Sequence, residues 1–321
     1  MKVSVLIPTL NRIRFLKESL ASVRRQTHPG LEILVSDDGS TDGSPDYLRE
    51  LMTHDPRIRL LSRNPEPGLF SNMNFLIKHA TGDAFALLGD DDILEPDFVR
   101  RLIQPLREHP GVIAAFCDHW IIGAEGRIFH EATEENSRRY GRSTLPAGLV
   151  EDPLPHVMRG TFCLGFALYR TSILAGQSFD LSCGGAADVD YLIRAVPLGK
   201  LYYMNERLGR YRVHQATATN TRTAFMIEGA VGVLNKYTFS DPRHESVRKD
   251  LLRVKYRQQV MYACTEDRQL CWRAAGQYFR LGGSRFDAKI LLGCLLACAP
   301  RGISRRIRFF KNGKTFSRGQ P

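Results

Sequence analysis

Three consecutive carboxylates, Asp90, Asp91 and Asp92, close the apolar run in ALLGDDDILEP. Like charges this close repel one another, so they need a positive partner. That partner is a bound cation, a set of Arg or Lys side chains, or solvent. Carboxylates are hard oxygen donors suited to Mg²⁺ or Mn²⁺, ions that take one or two protein carboxylates and fill the remaining positions with water and substrate phosphate. A solvated acidic turn or the start of a helix would use the same residues. A second acidic pair, Asp37-Asp38, precedes Gly39. A carboxylate there can accept from a ribose hydroxyl or a nucleobase N–H, or it can close a turn on its own backbone.

Whether these clusters meet depends on the elements that carry them. VSVLIP (3–8), LEILVSDD (31–38), RIRLLS (57–62), AFALLGD (84–90) and VIAAFC (112–117) read as strands. Helical spacing follows Asn11, a candidate cap, through Phe15, Leu16, Leu20 and Val23. Ser44 is positioned to cap a helix beginning at Pro45, and further helices are expected over 69–80 and 96–108. Strands alternating with helices imply an α/β fold, with a mostly parallel sheet covered on both faces. Ligands bind such sheets beyond the carboxyl ends of the strands, so Pro8-Thr9, Asp37-Asp38 and Asp90 to Asp92 should share one edge. From Asp118 to about Arg159 the pattern is irregular. LGFALYR (164–170) and RLGRYRVH (207–214) read as strands, DVDYLIRAV (188–196) as a short helix, and helices dominate from about Thr223.

The 321 residues are 43% hydrophobic and 25% charged, ordinary for a globular protein with a full core. The first residues lack a secretion-signal layout, and no apolar run approaches the ~18 residues of a spanning helix. Seven scattered cysteines without a Cys-x-x-Cys pair fit reduced thiols in the cytoplasm. The net charge of +11 is uneven. After Asp287 no acidic residue follows, while Lys289, Arg301, Arg305, Arg306, Arg308, Lys311, Lys314 and Arg318 carry most of the excess. That basic tail, with Phe309 and Phe310 beside the apolar ILLGCLLACAP, suits an anionic membrane surface; a core helix followed by a solvated tail has the same composition. A nucleic-acid-binding protein would spread its basic residues as a stripe away from acidic clusters, so no nucleic-acid partner is expected.

SVLIPTLNR, ILVSDDGSTDGS, GDAFALLGDDDILEP and YRVH, in this order, resemble the motifs of glycosyltransferase family 2 over about Val3 to His214. The resemblance implies a GT-A fold and inverting transfer of one sugar from a nucleoside-diphosphate sugar (UDP, dTDP or GDP) to a glycan or glycolipid acceptor, aided by Mg²⁺ or Mn²⁺. It implies that residues 1–219 form the transferase domain, with the nucleotide-sugar part in 1–118 and the acceptor part in 119–219. Residues 220–321 would then be a helical region with the basic tail. Pro8, Thr9, Asn11, Asp38, Asn74 and Asp90 would line the nucleotide, with Asp38 at the base. Asp91, Asp92 and His214 would hold the metal, and Asp188 would be the catalytic base. The chain departs from the family pattern at Gly89, where the first Asp of Asp-x-Asp-Asp is usual, so Asp91 or an Asp90/Asp92 pair can be the ligand. It departs again at Met73, where Arg is common, and at Ala187, where Glu precedes the base. The Gln-x-x-Arg-Trp motif of processive synthases is missing from the sequence. An enzyme peripheral on the cytoplasmic membrane face follows. An inactive nucleotide-sugar-binding relative, or a nucleotidyltransferase, is the rival reading; the latter's Gly-rich phosphate loop is not found in PTLNRIRF.

Overall fold

The structure is a computed structural model and describes residues 1–61, 67–214 and 223–298. The chain divides into two compact units, Met1–Ser182 with Ala187–Thr221, and Cys183–Ala186 with Arg222–Pro321. The first holds the sheet. Its strands are β1 (Val3–Thr9), β2 (Leu31–Asp37), β3 (Ile58–Leu61), β4 (Ala84–Leu87), β5 (Ile93–Leu94), β6 (Val112–Ile122), β7 (Gly148–Val150), β8 (Ala167–Arg170) and β9 (Lys200–Arg212). They run in the order β3-β2-β1-β4-β8-β6-β9-β5, with β7 also on β9. The long ladders, β1 with β2 and β4, β2 with β3 and β6 with β9, are parallel; the short ones made by β8, β5 and β7 are antiparallel. The sheet is therefore mostly parallel and flanked by helices, as the alternating pattern predicts. β1 and β2 are buried along their whole length, which is why they read as continuous apolar runs.

The helices of this unit are α1 (Ile13–Arg24), α2 (Ser44–His54), α3 (Leu69–His79), α4 (Phe98–Glu108), α5 (His130–Arg139), α6 (Pro153–Arg159), α7 (Thr171–Leu174) and α8 (Ala187–Ala195). Two capping expectations are corrected. Asn11 does not cap α1; it stands at φ 52° and accepts from the Thr41 N–H at 2.7 Å. Ser44 does not cap α2, because it is already inside it. Asp42 serves both starts: Oδ2 accepts from the Ile13 N–H (2.8 Å), and Oδ1 from the Ser44 N–H (3.1 Å) and hydroxyl (2.6 Å). Burial pushes the Asp42 carboxyl up, but the hydrogen bonds from Ser44 and Ile13 outweigh it and hold it below the ordinary range. The 118–159 stretch is also more regular than its pattern: β6 runs on to Ile122, and α5 follows. β9 starts seven residues before the expected strand.

Glu32 on β2 anchors the opposite end of the sheet. It accepts from Lys2 Nζ (2.8 Å), from the Ser4 hydroxyl, and from the Thr81 N–H (2.7 Å) and hydroxyl (2.7 Å). Burial raises its pKa, yet these donors bring it down to about 2. A folded-state pKa below the unfolded one stabilises the protein above the unfolded value, and this stability fades as pH falls toward about 2. Glu32→Gln is expected to lower stability by about 1–2 kcal/mol at pH 7. In urea titrations the gap from wild type should close between pH 4.5 and 2; a gap independent of pH would remove the carboxylate from this role.

The second unit, described on its own, contains α9 (Thr223–Lys236), α10 (Pro242–Ala263), α11 (Arg268–Arg280) and α12 (Ala288–Cys298). Asp241 and Asp267 cap α10 and α11 by accepting from Arg243 N and Leu270 N. α12 buries Ile290, Gly293 and Ala297; a Cβ on Gly293 would lie 2.4 Å from Val260 Cγ1. Among the described residues no helix is long and apolar enough to cross a membrane. The basic tail from Arg301 onward lies outside the described residues.

Candidate functional site

The site grows from the carboxyl ends of β1, β2 and β9 and the loop after β4. Thr9 ends β1 and donates through Oγ1 to Asp90 Oδ2 (2.8 Å); its carbonyl accepts from the Asp38 N–H (2.9 Å) just beyond β2. Pro8 is buried beneath it, paired with Ser36. Asp38 Oδ2 accepts from the Gly68 N–H (2.9 Å), while its buried Oδ1 has no partner among the described residues. Asp37 turns away to close the loop, accepting at Oδ1 from the Ser40 N–H (3.0 Å) and hydroxyl (2.6 Å).

The positive partner of the acidic triplet includes two arginines. Arg12 Nη1 donates to Asp90 Oδ1 (3.2 Å) and Asp91 Oδ2 (2.8 Å). Arg212 is buried beneath the loop. Its backbone N–H donates to Asp92 Oδ1 (2.9 Å), Nε to the Asp91 carbonyl (2.7 Å), Nη1 to the Ala124 carbonyl (2.8 Å) and Nη2 to Glu18 Oε2 (2.6 Å), and its guanidinium lies 5.0 Å from the Phe15 ring centre. Two residues on, His214 places Nε2 3.1 Å from Asp91 Oδ2 and packs on Phe15 at 4.8 Å. The two arginine side chains differ in freedom: Arg12 is 30% exposed and Arg212 0%.

Burial is the first influence on these carboxyls. It pushes Asp90 up to about 6, against the pull of Arg12 and with help from the Asp91 charge. Asp92 is raised well above the ordinary range by burial and then by the Asp91 charge, although the Arg212 N–H opposes this. Gly89 keeps the space between them clear, since a Cβ there would lie 2.9 Å from Asp91 Oδ1 and 3.1 Å from Asp92 Oδ2. Two neighbouring carboxylates and an imidazole 3.1 Å from one of them are donors of the kind a hard divalent ion takes; Asp91, Asp92 and His214 are the residues that could hold it.

Asp188 lies in the first turn of α8, half-buried, with Oδ1 accepting from the Val189 N–H (2.8 Å). Burial raises its carboxyl above the ordinary range. The nearby Cys163 thiol is pushed up to about 12, first by burial and then by the Asp92 charge. Asp190 points elsewhere, fully buried against Arg194 at 2.9 Å.

Thr9, Asp90, Asp91, Asp92 and His214 thus form one connected group, with Asp38 joined to it through the Thr9 backbone. The structure puts two residues to other use. Asn11 is exposed and ties the 37–42 loop to the start of α1, and Asn74 exchanges hydrogen bonds with the backbone of Phe179 (2.7 and 3.0 Å). Sequence reasoning missed Arg12, Arg212, Glu18 and Asp42. Arg12 and Arg212 sit inside the motifs PTLNR and YRVH, and the triplet's need for countercharge was the available signal.

A family model described as glycosyl transferase family 2 matches residues 4–174. An uncharacterized glycosyltransferase of Haemophilus influenzae is 26% identical over 224 residues, which is 66% of this chain and 65% of the relative. A Campylobacter jejuni protein named GalNAc(5)-diNAcBac-PP-undecaprenol beta-1,3-glucosyltransferase is 28% identical over 180 residues, 56% of this chain and 55% of the relative. The chain therefore spans less than two thirds of either relative. Among solved structures, the mannosyltransferase PcManGT from Pyrobaculum calidifontis, in complex with GDP-Man and Mn²⁺, superposes with a TM-score of 0.59 at 18% identity, covering 95% of this chain and 82% of that one. This likeness establishes a GT-A type fold.

Proposed function

The chain belongs to glycosyl transferase family 2, and from that premise we propose that it moves one sugar, with inversion, from a nucleoside-diphosphate sugar to an acceptor hydroxyl. The observation that carries this reading is the meeting of Thr9, Asp90 to Asp92 and His214 in one hydrogen-bonded group, with the orphaned carboxylate oxygen of Asp38 beside it. Residues 1–118 bind the donor and 119–219 the acceptor. Pro8 and Thr9 form the floor of the donor site, Asp38 accepts from the base, and Asp90 lies toward the ribose. Asp91, Asp92 and His214 hold Mg²⁺ or Mn²⁺, which when bound neutralises charge on the diphosphate leaving group. Asp188 takes the proton of the acceptor hydroxyl as it attacks the anomeric carbon from the opposite face.

The acceptor we propose is a lipid-linked glycan. The name of the Campylobacter relative, which includes an undecaprenol-linked substrate, supports this. So does the basic segment after Asp287, which suits docking on the cytoplasmic face of an anionic membrane. The test is a thermal-shift screen of UDP-, GDP- and dTDP-sugars with and without Mn²⁺, followed by donor turnover. One donor class should raise Tm in the presence of Mn²⁺ and be consumed. A shift without turnover would identify a binding relative, and no shift with any nucleotide would end the proposal.

A further inference from the structure

A cavity of about 470 Å³ opens on the second unit, lined by Arg253 and Arg257, one turn apart on α10, by Tyr278 of α11 and by the turn 282–284. The turn lies close against the ring: a Cβ on Gly283 would stand 2.2 Å from Tyr278 Cε1. Both guanidiniums are within reach of a ligand, at 35% and 38% exposed. Each carries five N–H donors. Arg253 uses Nη1 on the Leu281 carbonyl (3.0 Å) and Nη2 on Asp250, and Arg257 uses Nη1 on Asp287 at 3.5 Å. Among the described residues these bonds leave N–H groups over on both forks. Asp287 joins this cavity to α12. It accepts from the Tyr278 hydroxyl (2.9 Å) and caps the helix through Lys289 N (3.0 Å) and Ile290 N (3.3 Å). It is 12% exposed and is the one acid between Ser284 and Cys298, where Arg285 and Lys289 face solvent. Beside it Phe286 is 90% exposed, and α12 shows Leu291, Leu292 and Leu295 at 46%, 48% and 69%. Apolar side chains gathered this openly mark a surface that meets something apolar.

We propose that the cavity holds the phosphate of an anionic membrane lipid, while Phe286 and the α12 leucines enter the acyl layer beside it. This goes beyond attraction of the basic segment to a charged surface, and it does not depend on the transferase reading. Arginine forks match phosphate oxygens two at a time. A lipid carries its phosphate next to its chains, and here the arginine cavity stands next to the exposed phenylalanine and leucines. A soluble phosphate would use the arginines and leave the apolar side chains in water. Helical surfaces with apolar residues flanked by Arg and Lys lie in the interface of anionic bilayers in this way.

The test is flotation of the full chain with vesicles of phosphatidylcholine alone and of phosphatidylcholine mixed with phosphatidylglycerol. Charge on the sequence after Cys298 also draws the chain to anionic vesicles, so the decisive readings are taken at about 1 M salt, where screening acts within about 3 Å. The native chain should still bind there and should prefer the mixed vesicles. Phe286→Ser combined with Leu295→Ser, both at exposed positions, should weaken this binding about tenfold or more. Arg253→Gln combined with Arg257→Gln should erase the preference for mixed vesicles. Should the arginine variant not fold, the Phe286 and Leu295 variant decides. Binding that vanishes at high salt, or that survives the Phe286 and Leu295 substitutions unchanged, overturns the proposal. Equal binding to both vesicles by the native chain removes the phosphate from the cavity. Calorimetry with inorganic phosphate is the remaining arm: tight binding lost in the arginine variant would give the cavity to a soluble anion and overturn the lipid. None of these substitutions should change the shift in Tm produced by a donor with Mn²⁺, so failure here leaves the donor site standing.

Discussion

Asp188→Asn is expected to bind donor nucleotide with unchanged affinity and to lose roughly 10²–10⁴-fold in sugar transfer. Asparagine keeps the shape of the side chain and can still accept from the Val189 N–H, so the start of α8 should hold. What it cannot do is receive a proton. Burial lifts the Asp188 carboxyl above the usual carboxylate range, although its backbone hydrogen bonds pull back. A raised pKa makes it a stronger base than a solvated carboxylate. Because the base must be ionised, kcat/KM should rise with pH through this raised pKa, and the substitution should abolish that rise. Calorimetry and steady-state transfer measured on one preparation separate the two effects. Normal turnover by the variant would exclude Asp188 as the base.

Arg212→Met carries the largest expected effect on stability, about 3–5 kcal/mol, with Tm lowered on the order of 10 °C. The guanidinium is fully buried and serves the carbonyls of Asp91 and Ala124 and the Glu18 carboxylate together. Methionine fills a similar volume but leaves those carbonyls and the Glu18 carboxylate without the donor that joins them. The 89–92 loop and His214 would lose a common anchor, so Mn²⁺ affinity should fall as well. Arg212→Lys should not restore either property, because a single ammonium cannot reach acceptors arranged around a planar fork. A variant melting within about 2 °C of the native protein would show that the loop is held by other means.

The parallel sheet was legible because β1, β2 and β4 are buried apolar runs, and the rule for strand ends then brought Thr9, Asp38 and the triplet to one edge. The countercharges were not, because Arg212 is 120 residues from Asp92 and only the folded chain joins them. Capping misled for a similar reason: Asn11 and Ser44 are good local caps, yet Asp42 reaches both helices from a loop. α5 was invisible because its buried residues are Thr133 and Ser137, so HEATEENSRR shows no apolar stripe. Asn74 matched its motif in sequence, but the fold turns its amide to the backbone of Phe179.

Gly89 sets how closely the loop can draw its acidic groups together. The aspartate usual at that place cannot be added by a single substitution without disturbance, because its first side-chain carbon would press on two carboxylates held at their far ends by Arg12, His214 and the Arg212 backbone. Any side chain placed there has to displace those carboxylate ends, so the missing methylene is what lets the two of them stand this near the backbone.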